Sequence, residues 1–231
     1  MNDDPRGHEP WLQRFAIVLT RRELPSPLIS QLLRALTVGE PPELRAVFIE
    51  DADLLNAVAL PFIHELCVLT NAMRPIDPAR LEAHFGRESA AAAAGVKDLN
   101  RQIGRQCHFE VLRARKAQAL RLTLDGADAV LIPGAPAAAP PGAAAPLLAL
   151  IDDGLSGQHC HTLATCLAAL LSTSLEVRNV KQSETALLEV PALLARHNTR
   201  LVLLAGTLVP RLAHNLAELD EMCVAPLLVV N

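Results

Sequence analysis

Short apolar runs alternate along the chain with segments whose apolar residues recur at helical spacing. The run at residues 15–20, Phe-Ala-Ile-Val-Leu-Thr, is followed by Arg21, Arg22 and Glu23. An apolar run of this length with charged flanks is typical of a strand buried on both faces. We predict further strands at residues 45–49, 127–134, 147–152, 175–180, 200–206 and 226–230, and one at residues 108–113, where the residues alternate.

The segments between these strands predict helices. Residues 25–27, Pro-Ser-Pro, open a helix whose leucines share one face and which ends at Gly39. The other predicted helices lie at residues 53–67 (broken at Pro61), 77–106, 116–124, 157–171, 190–197 and 210–222. Strands that alternate with helices predict an α/β fold with doubly wound parallel sheets, covered by helices on both faces.

The order of elements restarts after residues 135–145, which are nearly all Ala, Pro and Gly. From Thr20 to Gly134 is 114 positions, whereas from Asp152 to Gly206 is 54, so the second half is 60 residues shorter between equivalent points. We therefore expect two unequal repeats. The predicted organisation is an N-terminal tail (1–12), repeat 1 (13–134), an exposed linker (135–145) and a shortened repeat 2 (146–231).

Composition limits the classes of function. Apolar residues make up 51% of the chain and charged residues 20%, which excludes a mostly disordered protein. The net charge is −4 and aromatic residues are 3%, so we do not expect nucleic-acid binding. Residues 129–151 are uncharged and are long enough to span a membrane. Five prolines in this segment would break any helix there, so we do not expect membrane insertion.

The cysteines and the N-terminus favour a cytoplasmic protein. The five cysteines are odd in number and scattered, without a Cys-x-x-Cys pair, which argues against a secreted disulfide framework. Residues 1–10 are acidic and have no apolar stretch after a basic start, unlike a signal peptide.

The most specific segment is residues 47–65, Val-Phe-Ile-Glu-Asp-x-Asp-Leu-Leu-x-x-Val-Ala-Leu-Pro-Phe-Ile-His-Glu. It resembles the segment after the second strand in a subset of bacterial tandem universal stress proteins. The spacing onward to residues 109–113 and 127–134 is also similar to that family. The resemblance covers residues 14–134 well and 146–230 more loosely. It implies a Rossmann-like fold of universal stress protein type, with two repeats that pack as a pseudo-dimer.

Many members of that family bind ATP through an Asp after the first strand and a loop Gly-x2-Gly-x9-Gly-Ser/Thr after the fourth. Such glycines let backbone N–H groups approach the phosphates. In the first repeat the Asp position is Thr20, and only Gly134 of the loop is present, followed by a proline-rich stretch. The resemblance therefore implies that repeat 1 does not bind a triphosphate.

The second repeat keeps more of the pattern. Asp152 matches the family's first-strand Asp, Asp153 follows it, and Ser156 lies in the loop that we predict before the helix. Gly206 matches the first glycine of the loop, but Val209 stands at the second glycine. The candidate ligand-binding residues are therefore Asp152, Asp153, Ser156 and Gly206, and we expect neither a cofactor nor tight ATP binding.

Two further clusters have a chemical interpretation. His159, Cys160, His161 and Cys166 are potential metal ligands, but on a helix they do not share a face, so surface histidines and core cysteines are favoured. The cluster Glu50, Asp51 and Asp53 could serve acid–base or cation chemistry; a solvated strand end, with Asp53 capping a helix, is the more common arrangement. We predict no metal site and no catalytic residue.

Three hypotheses about function remain. The first is a non-enzymatic regulatory or stress-response protein that acts through protein contacts, with an unidentified partner or another copy of itself, or through a small effector. The alternative is a nucleotide- or metabolite-binding sensor that uses the second repeat. The third is a hydrolase or transferase, which has only the fold in its favour.

Overall fold

The computed structural model of the protein describes residues 12–19, 27–36, 41–60, 63–67, 70–75, 77–133, 145–180, 184–195, 198–212, 223 and 225–231. The first part of the chain contains β1 (Arg14–Leu19), α1 (Pro27–Ala35), β2 (Glu43–Asp51), α2 (Ala52–Val58), β3 (His64–Cys67), β4 (Ala72–Pro75), α3 (Pro78–Ile103), β5 (Cys107–Ala114), α4 (Lys116–Asp125) and β6 (Ala129–Ile132). The second part contains β7 (Leu147–Ile151), α5 (Leu155–Leu170), β8 (Leu175–Asn179), α6 (Glu184–Leu194), β9 (Leu201–Ala205), a 3-10 turn (Gly206–Leu208), α7 (Val209–Leu212) and β10 (Leu227–Val230).

Eight of the strands form one sheet in the order β5-β2-β1-β6-β10-β9-β7-β8. All neighbours are parallel except β6 and β10, which are antiparallel. The carboxyl ends of β1, β2, β5 and β6 therefore lie at one edge of the sheet, and those of β7 to β10 lie at the opposite edge. This arrangement confirms the predicted α/β class.

Helices cover both faces of this sheet. Helix α1 contacts both α3 and α5 along one face, whereas α4 packs on β1, β2, β5 and β6. Right-handed crossover connections place α4 on the other face, because the chain runs back across the sheet between β5 and β6. The central strands are buried on both sides, which explains why they read as continuous apolar runs.

Local signals fix the longest helix. The Asp77 side chain accepts a hydrogen bond from the Ala79 N–H (3.0 Å), and Pro78 occupies the first turn of α3. Gly104 ends the helix with a φ of 69°, a left-handed conformation that glycine adopts without strain. The predicted helix at 77–106 is confirmed at its start and ends three residues early.

Two predicted elements were wrong in part. The segment 53–67 is not one helix, because α2 ends at Val58 and His64–Cys67 forms an antiparallel hairpin with Ala72–Pro75. Helix α6 begins at Glu184 rather than at 190, and Pro191 lies inside it. Val190 and Leu194 are buried, and their packing holds the helix although proline removes a backbone donor.

Several expectations concern residues outside the described ranges. These are the tail 1–11, Thr20, Gly134 and nearly all of the linker 135–145. Most of the predicted helix 210–222 is also outside them. The division into two repeats stays a prediction. Among the helices that the structure describes, none is long and apolar enough to cross a membrane.

Candidate functional site

The candidate site lies where the carboxyl ends of β7, β9 and β10 meet. These strands are parallel, so the residues that follow them are brought to one edge of the sheet. Asp152 follows β7, Gly206 follows β9 and Asn231 follows β10. In open α/β sheets, ligands bind in the crevice at such an edge.

Both carboxylate oxygens of Asp152 accept hydrogen bonds from the chain itself. Oδ1 accepts from the backbone N–H of Gly154 (3.1 Å), and Oδ2 accepts from the Thr207 hydroxyl (2.5 Å). Thr207 was not among the predicted site residues, because a threonine after a glycine carries no distinctive sequence signal. Its bond to Asp152 ties the end of β7 to the turn after β9.

Ser156 is buried and connects three elements. Its hydroxyl donates to the Val230 carbonyl (2.6 Å), and its oxygen accepts from the Gly206 N–H (2.8 Å). Ser156 is the second residue of α5, so the prediction that it lies in a loop before the helix was wrong by two residues. The amide of Gly206 is therefore hydrogen-bonded within the protein.

Asp153 points to a different neighbour. Its Oδ1 accepts from the side-chain amide of Asn179 (2.7 Å), at the end of β8. The structure therefore brings Asp152, Ser156 and Gly206 together and places Asp153 toward the outer strand.

Two glycines allow unusually close packing at this site. A Cβ on Gly206 would lie 2.4 Å from Oδ1 of Asn231 and 3.1 Å from the Val230 carbonyl oxygen. A Cβ on Gly157 would lie 2.0 Å from the Asp152 carbonyl oxygen. Gly206 therefore has a packing role apart from any ligand, and Gly157 lets the first turn of α5 lie against the end of β7.

Asn231 connects this site to the first part of the chain. Its side-chain amide donates to the carbonyls of Leu124 and Ala127, both at 2.8 Å. Its backbone N–H donates to the Asp128 carbonyl at 2.8 Å. The loop between α4 and β6 is thus joined to the end of β10.

The potential metal ligands of α5 are separated by the helix. Cys160 is buried in the core, whereas Cys166 and His161 are exposed. Burial, and to a smaller extent the charge of Asp152, raises the pKa of Cys160 to about 12, so this thiol is protonated at neutral pH. Within the described residues, no group of three or more His, Cys, Asp or Glu side chains could hold a metal ion.

The acidic cluster of the first half is hydrogen-bonded within the protein. Glu50 is nearly buried and pairs with Arg113 (2.8 Å), and Asp53 pairs with Arg115 (3.1 Å). The N-cap of α2 is Asp51, whose side chain accepts from the Asp53 N–H (2.9 Å), so the prediction that Asp53 caps the helix was wrong. The cap lies two residues earlier than predicted because β2 runs directly into α2 without a loop.

No family model and no curated protein sequence matches the chain. Among solved structures, the chain is similar to a universal stress protein from Archaeoglobus fulgidus DSM 4304, with a TM-score of 0.41 and 11% sequence identity. The similarity covers 94% of this chain and 96% of that chain.

Proposed function

We propose that this chain is a cytoplasmic, non-enzymatic regulatory protein of the universal stress protein type that does not use ATP. In this proposal it acts in a stress response, through protein contacts or a small effector. The observation that carries the proposal is that the polar groups at the crevice of β7, β9 and β10 are hydrogen-bonded to the chain itself.

The phosphate-binding chemistry of such a crevice depends on backbone N–H groups that face the ligand. Here the Gly206 N–H is bonded to Ser156, and Pro210 has no N–H to offer. The Asp152 carboxylate, which would contact the rest of a nucleotide, is occupied by Gly154 and Thr207. A triphosphate would have to displace several short bonds and would gain few donors in return.

Titration calorimetry of the purified protein with Mg-ATP tests this proposal. We expect no binding tighter than about 10 µM, which corresponds to roughly 7 kcal/mol. A tighter complex, or nucleotide that co-purifies with the protein, would refute the ATP-independent function. Phosphate-release assays on the wild type and on Asp152→Asn address the enzymatic alternative, because turnover lost in that variant would indicate catalysis.

The second candidate is a metabolite sensor that uses the same crevice. It is favoured by the exposed positions of Asp153 and Thr207, since a ligand hydroxyl or amine could replace Thr207 as the donor to Asp152. A thermal-shift screen with nucleosides, amines and polyols tests it. A ligand that raises the midpoint of the wild type but not that of Asp152→Asn would establish this function.

A further inference from the structure

The outer side of β8 is an open sheet edge. In the first half, β2 lies next to β1 and is itself covered by β5. In the second half, β8 has the corresponding place next to β7, and the part of the chain that the structure describes contributes no strand to its outer side. Val177, Arg178 and Asn179 are exposed there.

The hydrogen bonds at the two ends of β8 show which backbone groups face outward. The Leu147 N–H donates to the Ser174 carbonyl, and the Val180 N–H donates to the Ile151 carbonyl. In a parallel pair, alternate residues direct both N–H and C=O to the same neighbour. The even-numbered residues of β8 therefore bond to β7, and the odd-numbered residues 175, 177 and 179 direct both groups to the open edge.

The sequence of β8, Leu-Glu-Val-Arg-Asn, is complementary to itself in the antiparallel direction. If two copies pair about a two-fold axis at Val177, Glu176 of each copy lies opposite Arg178 of the other. With the odd residues as the hydrogen-bonded pairs, Glu176 and Arg178 fall at the non-hydrogen-bonded pairs, where side chains are closest. Both side chains lie on the same face of β8, because within one chain the Arg178 Nε donates to Glu176 Oε1 (2.9 Å).

We propose that a second copy of this chain binds antiparallel to β8 and joins the two eight-stranded sheets into one. The backbone groups of residues 175, 177 and 179 supply the main-chain hydrogen bonds, and the two Glu176–Arg178 pairs fix the register. The copy takes the place that β5 has beside β2 in the first half. A five-residue strand buries less than a standard interface, so the expected dimer is weak, with a dissociation constant in the micromolar range.

Sedimentation velocity across protein concentrations from about 1 to about 200 µM tests the proposal, because the expected micromolar dissociation constant lies in this window. The wild type should shift from monomer to dimer. Glu176→Arg and Arg178→Glu should each weaken the dimer at least tenfold, because each places like charges opposite one another at both symmetry-related pairs. Arg101→Glu, which disrupts an exposed Asp98–Arg101 pair on α3, is the matched control and should leave the dimer unchanged.

Mixing the two single variants separates the interchain pair from the intrachain one. A Glu176→Arg chain carries two arginines and an Arg178→Glu chain carries two glutamates, so their mixture should form a heterodimer although neither forms a homodimer. Circular dichroism confirms that both variants are folded. A wild type that stays monomeric, or a mixture that does not associate, would overturn the proposal and identify the charges as a device that keeps the edge unpaired.

Amide exchange in the wild type gives a second test that needs no variant. Residue-resolved exchange rates of the Leu175, Val177 and Asn179 amides should fall as the protein concentration rises through the dimer range. The Glu176 and Arg178 amides, which face β7, should be protected at every concentration. Exchange at residues 175, 177 and 179 that does not depend on concentration would contradict pairing at this edge.

Discussion

Ser156 offers the sharpest test of how the second half is held together. Ser156→Ala removes the hydroxyl that donates to the Val230 carbonyl (2.6 Å) and accepts from the Gly206 N–H (2.8 Å). Ser156 is 7% exposed, so water cannot readily replace its hydroxyl. Leaving a buried donor or acceptor without a partner costs about 1–3 kcal/mol each, while alanine regains about 0.5 kcal/mol of helix propensity. We expect the free energy of unfolding to fall by about 2 kcal/mol.

Urea unfolding followed by circular dichroism measures this change. With an m-value of about 3 kcal/mol/M, the midpoint should fall by about 0.7 M. Thr162→Ala is the matched control, because Thr162 lies on the same helix and bonds only to Gln158 of its own helix from an exposed position. That variant should stay within about 0.5 kcal/mol of the wild type. If Ser156→Ala also stays within that margin, the joint between α5, β9 and β10 is not held by this hydroxyl.

Three other predictions follow from the packing and the charges. Gly157→Ala should destabilise the protein by more than about 2 kcal/mol, because the new Cβ would meet the Asp152 carbonyl at 2.0 Å. Gly86, which has open space around it, is the control, and Gly86→Ala should stabilise the protein by up to about 1 kcal/mol. Equal urea midpoints for the two variants would contradict this prediction. Burial raises the pKa of Cys160 from 9.0 to about 12, so between these pH values the folded protein holds a proton on this thiol that the unfolded chain has lost. The contribution of Cys160 to stability is therefore complete below pH 9 and is lost as the pH rises toward 12. Unfolding curves measured between pH 8 and 11 should show a falling midpoint. If the two halves are expressed separately, with the chain divided within residues 135–145, each should aggregate, because β10 then lacks its partner β6 and apolar strand edges are exposed. Fragments that are monomeric by light scattering and fold cooperatively by calorimetry would refute this prediction.

The order of strands and helices was predictable from the sequence because it depends on local patterns. Strands such as β7 and β9 are buried on both faces, so every position in them is apolar, and such runs are recognisable without knowing their neighbours. The start of α3 was predictable for a similar reason, since an Asp-Pro pair supplies both the cap and the first turn. The hairpin of β3 and β4 was missed because β3 lies in the segment 53–67, whose apolar residues recur at helical spacing.

The sequence also indicated which residues gather at the candidate site, but not what they do there. Asp152 and Gly206 were identified because they match the ATP-binding pattern of the universal stress proteins that the sequence resembles, and the parallel pairing of β7 and β9 brings them to the same edge of the sheet. Thr207, Gly157 and Asn231 were missed, because their importance rests on contacts with residues 50 or more positions away, or on a close approach that only packing creates.

The tertiary structure alone decided how the two halves join. The apolar pattern of β10 indicates that the strand is buried, but the same pattern would fit any position inside a sheet that is covered on both faces. Its place between β6 and β9, antiparallel to one and parallel to the other, depends on the direction in which the second half approaches the first. The same long-range pairing leaves β8 at the outside, where residues 175, 177 and 179 direct their backbone groups to an open edge, because the strand β5 that covers β2 has no counterpart there among the residues that the structure describes.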